Sequence, residues 1–246
     1  MYDPIQDGIV KNVLLVSYKE EKPPNVFSKL VHSFWELKTD IKLPDDFFLH
    51  ALPDACVNIL FNQKDTRIAG VTALRTTYEE LNLGKEFHYV GIQFFPGVWQ
   101  GNHNETTDSF VGTPYLGDLP LIDTSNKLTQ LDFAAKQSVL SELVSQLIER
   151  KLVAVNVVTE KILLNLDVIH TVADMANITN ISSRQLQRIL KSSTGFTPHD
   201  LIKVLRLQQS FKQHYLEYYT DQSHFIHSFR KITGYTPTEY YRKFDV

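Results

Sequence analysis

Cysteine is nearly absent from this chain. Cys56 is the one thiol in 246 residues, so no disulfide can close within it and a reducing compartment is expected. Long apolar runs are also missing: no stretch of twenty apolar residues occurs and no charged-then-apolar leader opens the sequence. Membrane insertion and secretion are therefore not expected, and a cytoplasmic location is. Histidines lack the spacing of a metal centre. His32, His50, His88 and His103 are scattered, with no His-x-His followed by a carboxylate and a distant His, so they are expected to be surface or hydrogen-bonded groups rather than ligands. Cys56 precedes an apolar run without a spaced His partner, which favours a buried packing residue over a nucleophile. No catalytic constellation, no cofactor and no metal are expected, and the chain does not read as an enzyme. Tryptophan is scarce as well; Trp35 and Trp99 are expected in the core, where either can line a pocket.

What is present points to two unlike halves. With 246 residues and 43% hydrophobic content the chain is long enough for two cores. The net charge of −3 divides unevenly: residues 157–246 hold 11 Lys and Arg against 8 Asp and Glu, whereas residues 1–156 hold 14 against 20. Between Met175 and His199 stand three basic residues and no acid, a modest footprint for phosphate contact.

The basic half repeats itself. Gly195-Phe196-Thr197-Pro198-His199-Asp200 recurs as Gly234-Tyr235-Thr236-Pro237-Thr238-Glu239, and Leu186 and Leu190 recur as Phe225 and Phe229, all at one offset of 39 residues. Matched helix, stop and restart signals in one register indicate a duplicated helical unit. In the first copy Ser182 is an N-cap and Gln185 completes a capping box. A helix from Ser183 to about Ser193 then places Leu186, Ile189 and Leu190 on one face and Arg184, Gln187, Arg188 and Lys191 on the other. Gly195 is a left-handed stop, and Thr197-Pro198 restarts a helix with Asp200 near its positive end. In the second copy Asp221 replaces Ser182 and the outward face carries Gln222, Ser223, Ile226 and His227. Upstream, Thr171 caps a helix over Val172–Ala176, and Asn180 supplies the positive φ of a tight turn. Helix, turn and polar-faced helix form the pattern of a helix-turn-helix.

Thr171-Val172-Ala173-Asp174-Met175-Ala176, Asn180-Ile181-Ser182-Ser183-Arg184-Gln185-Leu186-Gln187-Arg188, Gly195-Phe196-Thr197-Pro198, Arg206-Leu207-Gln208, Tyr219-Thr220-Asp221-Gln222-Ser223-His224-Phe225 and Gly234-Tyr235-Thr236-Pro237 together resemble the AraC/XylS family of bacterial transcription regulators. The resemblance covers roughly residues 156–243. It implies double-stranded DNA as partner, two helix-turn-helix units joined by a linker helix, and recognition helices carrying Ser183, Arg184, Gln187, Arg188 and Lys191 in the first unit and Gln222, Ser223, Ile226 and His227 in the second. One departure stands out. Pro198 to Tyr219 has to hold a short restart helix, a linker helix over Leu201–Gln213 and the supporting helix of the second unit, for which only His214–Tyr218 remains. Either the second unit is truncated or residues are missing between about Gln208 and Tyr218. With a truncated unit, Phe225 and Phe229 would lose much of the surface they need to bury.

The acidic half reads as β-structure. Val13–Tyr18, Leu30–Leu37, Phe48–Leu52, Val57–Phe61, Arg67–Val71 and Phe87–Phe95 are short, rich in β-branched and aromatic residues, and separated by turn formers. Within the last, Val90, Ile92 and Phe94 alternate with Gly91, Gln93 and Phe95 as in a half-buried strand. Many short strands suggest a barrel or sandwich. His50 to Phe61 with Gly91-Ile92-Gln93-Phe94-Phe95-Pro96-Gly97 also resembles the small cupin-like domain found N-terminal to one group of these regulators. Leu131–Leu152 places Leu140, Leu143, Val144, Leu147 and Ile148 at helical spacing, with Lys136, Glu142, Glu149 and Arg150 elsewhere on the wheel. That stripe suits either packing on the β domain or pairing across a dimer.

The expectation is an α+β protein: a cupin-like β-barrel or sandwich over residues 1–130, a linker helix over 131–155, and an all-α double helix-turn-helix domain over 156–246. Its implied partners are DNA, a small-molecule or protein effector at the β domain, a possible second copy of the chain and RNA polymerase, with no membrane. The competing readings are a cupin-type enzyme fused to a helical tail and an interaction protein whose second DNA-binding unit has decayed.

Overall fold

Strands dominate the first half of the chain and helices the second. The computed structural model describes residues 2–4, 7–10, 15–72, 74–101, 106–107, 112–211 and 221–245, with the backbone alone at 7–10, 106–107 and 245. Strands β1 (Asp7–Val10), β2 (Val16–Glu21), β3 (Val31–Thr39), β4 (Phe47–Ala51), β5 (Val57–Asn62), β6 (Ala69–Thr72), β7 (Glu79–Gly84), β8 (His88–Phe94) and β9 (Thr106–Thr107) come first. Helices α1 (Leu121–Leu128), α2 (Phe133–Glu149), α3 (Val157–Leu164), α4 (Val172–Thr179), α5 (Ser183–Thr194), α6 (Pro198–Ser210), α7 (Gln222–Thr233) and α8 (Pro237–Lys243) follow, and β10 (Phe244–Asp245) comes last. One sheet has the order β2-β3-β8-β5-β6-β9 and the other β10-β1-β4-β7. The expected α+β architecture is present. Among the described residues the sheets stay separate, so the N-terminal part is an open two-sheet arrangement and not a closed barrel.

Strands β3, β5 and β8 are buried on both faces, which corrects the half-buried pattern expected for β8. One face, with Phe34, Ile59, Phe61, Val90, Ile92 and Phe94, packs on Leu121, Leu140, Leu143, Val144 and Leu147 of α1 and α2. The other, with Trp35, Leu37, Leu60 and Tyr89, meets Phe47, Leu49 and Leu83 of the smaller sheet. Gly91 is required by that second contact: a Cβ there would stand 2.3 Å from the Trp35 indole. Both tryptophans and Cys56 are buried, as expected. Sequence patterning missed β7, whose Glu-Glu-Leu-Asn-Leu-Gly is only partly buried, and the short β1 and β10, which pair with each other through Val10↔Phe244.

The apolar stripe of α2 covers its own sheet through Leu140, Leu143, Val144 and Leu147, while Ile148, expected on the same stripe, is exposed. Lys136, expected elsewhere on the wheel, is buried on that same stripe, because its Nζ lies 2.6 Å from Glu36 Oε1 on β3 and His88 Nε2 lies 2.8 Å from the same oxygen. Burial alone would raise the Glu36 pKa, yet the bonds from His88 and Lys136 bring it down to about 2. Beyond α2 the chain stays tied to the β part: Ala154 N–H donates to Val98 O and Gln100 N–H to Leu152 O, 3.1 and 2.8 Å.

Two apolar clusters organise the helices. Ile162, Met175, Leu186, Leu190, Phe196, Leu201 and Leu205 gather α3 to α6, and Leu207, Phe225, Phe229, Ile232, Tyr240 and Phe244 gather the end of α6 with α7, α8 and β10. Phe225 and Phe229 are thus fully buried, contrary to the expectation for a truncated unit. Their cover comes from α8, β10, the end of α6 and Leu52 of the β part. The proposed supporting helix, His214–Tyr218, lies outside the described residues. A second correction concerns the linker: restart and linker are one uninterrupted helix, α6, capped by Thr197 with Pro198 in its first turn.

Candidate nucleic-acid interface

The first unit is assembled from local signals. Thr171 caps α4 and exchanges bonds with Asp174 in a capping box. This helix runs one turn past the expected Ala176, to Thr179, where Asn180 takes the left-handed conformation (φ 56, ψ 43) that turns the chain. Ile181 N–H then bonds back to Ala176 O at 3.1 Å. Ser182 opens α5 through the reciprocal box with Gln185, and Gly195 closes it at φ 71. With Leu186 and Leu190 at 0% exposure, the orientation of α5 is fixed from behind. Ser183, Arg184, Gln187, Arg188 and Lys191 all lie exposed on the opposite side. Lys191 differs from the others, because its Nζ donates to Gly195 O at 2.7 Å and so sits at the helix C-terminus. Helix α5 contains no acidic residue, and among the described residues Arg184 and Arg188 join no ion pair.

The second unit repeats the construction. Asp221 caps α7 by accepting from His224 N–H at 2.8 Å, and Gly234 ends it at φ 81. Thr236 and Glu239 form the capping box of α8. Both α5 and α7 have 12 residues, and in each the duplicated apolar pair is buried. Gln222, Ser223, Ile226 and His227 are exposed on α7, with Arg230 and Lys231 in its last turn. The two outward faces differ in charge: the first is cationic, the second polar and neutral apart from its end.

Other histidines singled out in the sequence have structural surroundings. His32 is buried and bonded to Gln93 Oε1 through Nδ1 at 2.6 Å and to Asp3 Oδ1 through Nε2 at 2.8 Å; burial and the Lys22 charge lower its pKa against the pull of Asp3 and Glu20. His50 is 1% exposed and enclosed by Tyr78, Tyr235, Tyr240 and Phe244, with ring centroids 4.7 to 5.5 Å away. Neither ring nitrogen has a well-formed partner, with the Thr233 backbone giving only weak support. Burial and the Lys243 charge together lower its pKa to about 4. His103 lies outside the described residues. Among those described, no three His, Cys, Asp or Glu side chains gather as metal ligands, and no helix is long and apolar enough to cross a membrane.

A cavity that sequence reasoning did not locate lies between the sheets. Trp35, Leu49, Leu60 and Tyr89 form apolar walls, while Asp54, Asn58 and Thr72 supply polar groups. Trp35 Nε1–H donates to Asn58 Oδ1 at 3.1 Å. Burial raises the Asp54 carboxyl to about 6, against the bonds it accepts from Cys56 N–H and Gln93 Nε2–H at 2.9 and 2.7 Å. Burial also pushes the Cys56 thiol well up, which removes it as a nucleophile at neutral pH.

Three comparisons bear on this geometry. A family profile described as "Domain of unknown function (DUF6597)" matches residues 19–113, within the β part. No curated protein matches the sequence. Solved structures of ToxT from Vibrio cholerae are similar in overall path: one covers 92% of this chain and 96% of its own at 12% identity and a TM-score of 0.41. Another, from strain O395 and bound to (E)-4-(8-methylnaphthalen-1-yl)but-3-enoic acid, covers 92% and 97% at 11% identity and 0.44. Likeness at that level leaves function to be argued from the chain's own helices.

Proposed function

We propose that this chain is a sequence-specific, double-stranded DNA-binding transcription regulator of the AraC/XylS type. The observation that supports it best is the duplication itself: two capped 12-residue helices, each anchored by an equivalent buried apolar pair, each presenting an exposed polar face. A chain that builds the same presentation twice is suited to a partner that repeats, as successive major grooves do. In this reading Arg184 and Arg188 donate to guanine and Gln187 pairs with adenine. Ser183 and Lys191, at the two ends of α5, contact phosphates. Gln222, Ser223, Ile226 and His227 read a second site.

The division into a β domain over 1–130, a linking helix over 131–155 and a DNA-binding domain over 156–246 belongs to the same proposal, as does a cytoplasmic location. The β domain takes a small-molecule or protein effector without turnover, and its inter-sheet cavity is the candidate site. Since α2 spends its apolar stripe on its own sheet, a homodimer would form through another face. RNA polymerase is the natural further partner of such a regulator.

Selection of bound fragments from a random DNA pool tests the core of this reading. Once a site is defined, Arg184→Ala or Gln187→Ala is expected to cost about 1–3 kcal/mol on it and to relax the preference at one position. Equal weakening on cognate and random DNA would reduce this face to a phosphate contact. Iron, zinc or manganese at one per chain, supporting turnover, would favour the enzyme reading instead.

A further inference from the structure

Leu52–Cys56, the link between β4 and β5, touches three parts of the molecule at once. Leu52, Asp54 and Cys56 line the inter-sheet cavity. Pro53 O accepts from Gln208 Nε2–H of α6 at 2.9 Å in a buried bond, and Leu52 packs with Leu207, Phe225 and Phe229. Ala55 and Cys56 share the core of Met175, Leu186 and Leu190 behind the first recognition helix. The segment has no ladder bonds of its own, because β4 ends at Ala51 and β5 starts at Val57. Ala55 is moreover held at φ 61, a conformation unfavourable for a residue with a Cβ.

These facts fix how the cavity would respond to an occupant. Most of its other walls are strands held in register, β3, β4, β5, β6 and β8 on both sides and β7 on one, so the unladdered Leu52–Cys56 yields before the doubly paired strands. That wall cannot move alone. Displacing Pro53 would break the buried bond from Gln208 Nε2–H to its carbonyl, and displacing Leu52 would open the packing of Phe225 and Phe229. We propose that Leu52–Cys56 is the element through which occupancy of the inter-sheet cavity shifts α6 and α7, and with them DNA affinity. The proposal rests on the DNA-binding reading for its last step only.

The test uses the full chain and needs no identified effector. Ala51, buried and lining the cavity from β4, is enlarged by Ala51→Leu as a stand-in for an occupant, with Leu49→Phe as a second filling variant. Hydrogen exchange over 198–210 and 222–233 is measured beside affinity for the selected DNA fragment. Each filling variant is expected to change α7 protection at least tenfold and DNA affinity at least fivefold, and Gln208→Met is expected to reduce both effects to less than twofold. Should both filling variants lose their fold, xenon under pressure, which enters small apolar cavities without mutation, replaces them in the same comparison. Changes confined to the β strands, or effects undiminished by Gln208→Met, would overturn the proposal. Exchange coupling without any enriched DNA would leave the coupling standing and remove the DNA-binding reading.

Discussion

Phe229→Ala is the sharpest probe of how the second unit is held. The Phe229 ring has 0% exposure and lies 5.5 Å from Phe225 and 5.6 Å from both Phe211 and Tyr240, centroid to centroid. Truncating so enclosed a ring costs about 3–5 kcal/mol, with the upper part of that range favoured by the lost edge-to-face pairs. Against a domain stability of roughly 5–15 kcal/mol this is enough to open α7 and α8 locally. The cluster around Leu186, Leu190 and Phe196 is separate, so α5 should keep its protection. Native-state hydrogen exchange is therefore expected to show protection in α7 falling by about 10²–10⁴-fold while α5 changes little, and DNA affinity should drop toward that of the first unit alone. A cost below about 1 kcal/mol, or parallel loss in α5 and α7, would refute the idea that this aromatic cluster is what holds α7.

Three further outcomes follow from the geometry. His50, with its pKa lowered to about 4, destabilises the fold as pH drops from about 6.5 to 4, because the unfolded chain takes up a proton that the folded one resists. Asp54, raised to about 6, acts in the opposite sense between pH 6 and 4, so urea midpoints of His50→Phe must be compared with the parent at each pH; identical slopes would exclude His50 as the source. Lys136→Met leaves the buried Glu36 carboxylate with His88 and the more distant, partly exposed Lys38 and should cost about 3–5 kcal/mol near neutral pH, less once Glu36 is protonated in acid. Lys136→Met combined with Glu36→Leu should recover most of it, and failure to recover would show that lost charge pairing is not the cause. Asn180→Val places a β-branched side chain at φ 56 and should destabilise the first unit by about 1–2 kcal/mol, whereas Asn180→Gly should be close to neutral in thermal unfolding.

The helical half was legible because its instructions are local. Ser182 with Gln185, Asn180, Gly195 and Gly234 each act within a turn of themselves, and the structure places every one as the sequence implies. Exposure of Arg184, Gln187 and Gln222 follows directly from the helical period. The β half was harder to read because burial there is decided by distant partners. Tyr89 and Gln93 look like the wet side of a strand until the second sheet covers Tyr89 and His32 and Asp54 bond Gln93, and Lys136 looks like a surface lysine until Glu36 meets it. The same limit hid the cavity and the role of Leu52–Cys56, whose neighbours Gln208 and Phe225 lie far along the chain. The burial of Phe229 was misjudged for that reason: its cover is partly supplied by Leu52, Tyr240 and Phe244.

The pairing of β1 with β10 also bears on the order in which the molecule can be completed. Val10 emerges from the ribosome long before Phe244, yet they are neighbours in one sheet. Until Phe244 arrives, β1 offers an unpaired edge to any passing strand, and its closure requires a contact of very large sequence separation, the slow kind. The smaller sheet is thus expected to be the late-folding part of the protein. During synthesis that edge is where pairing with another chain would compete with native closure.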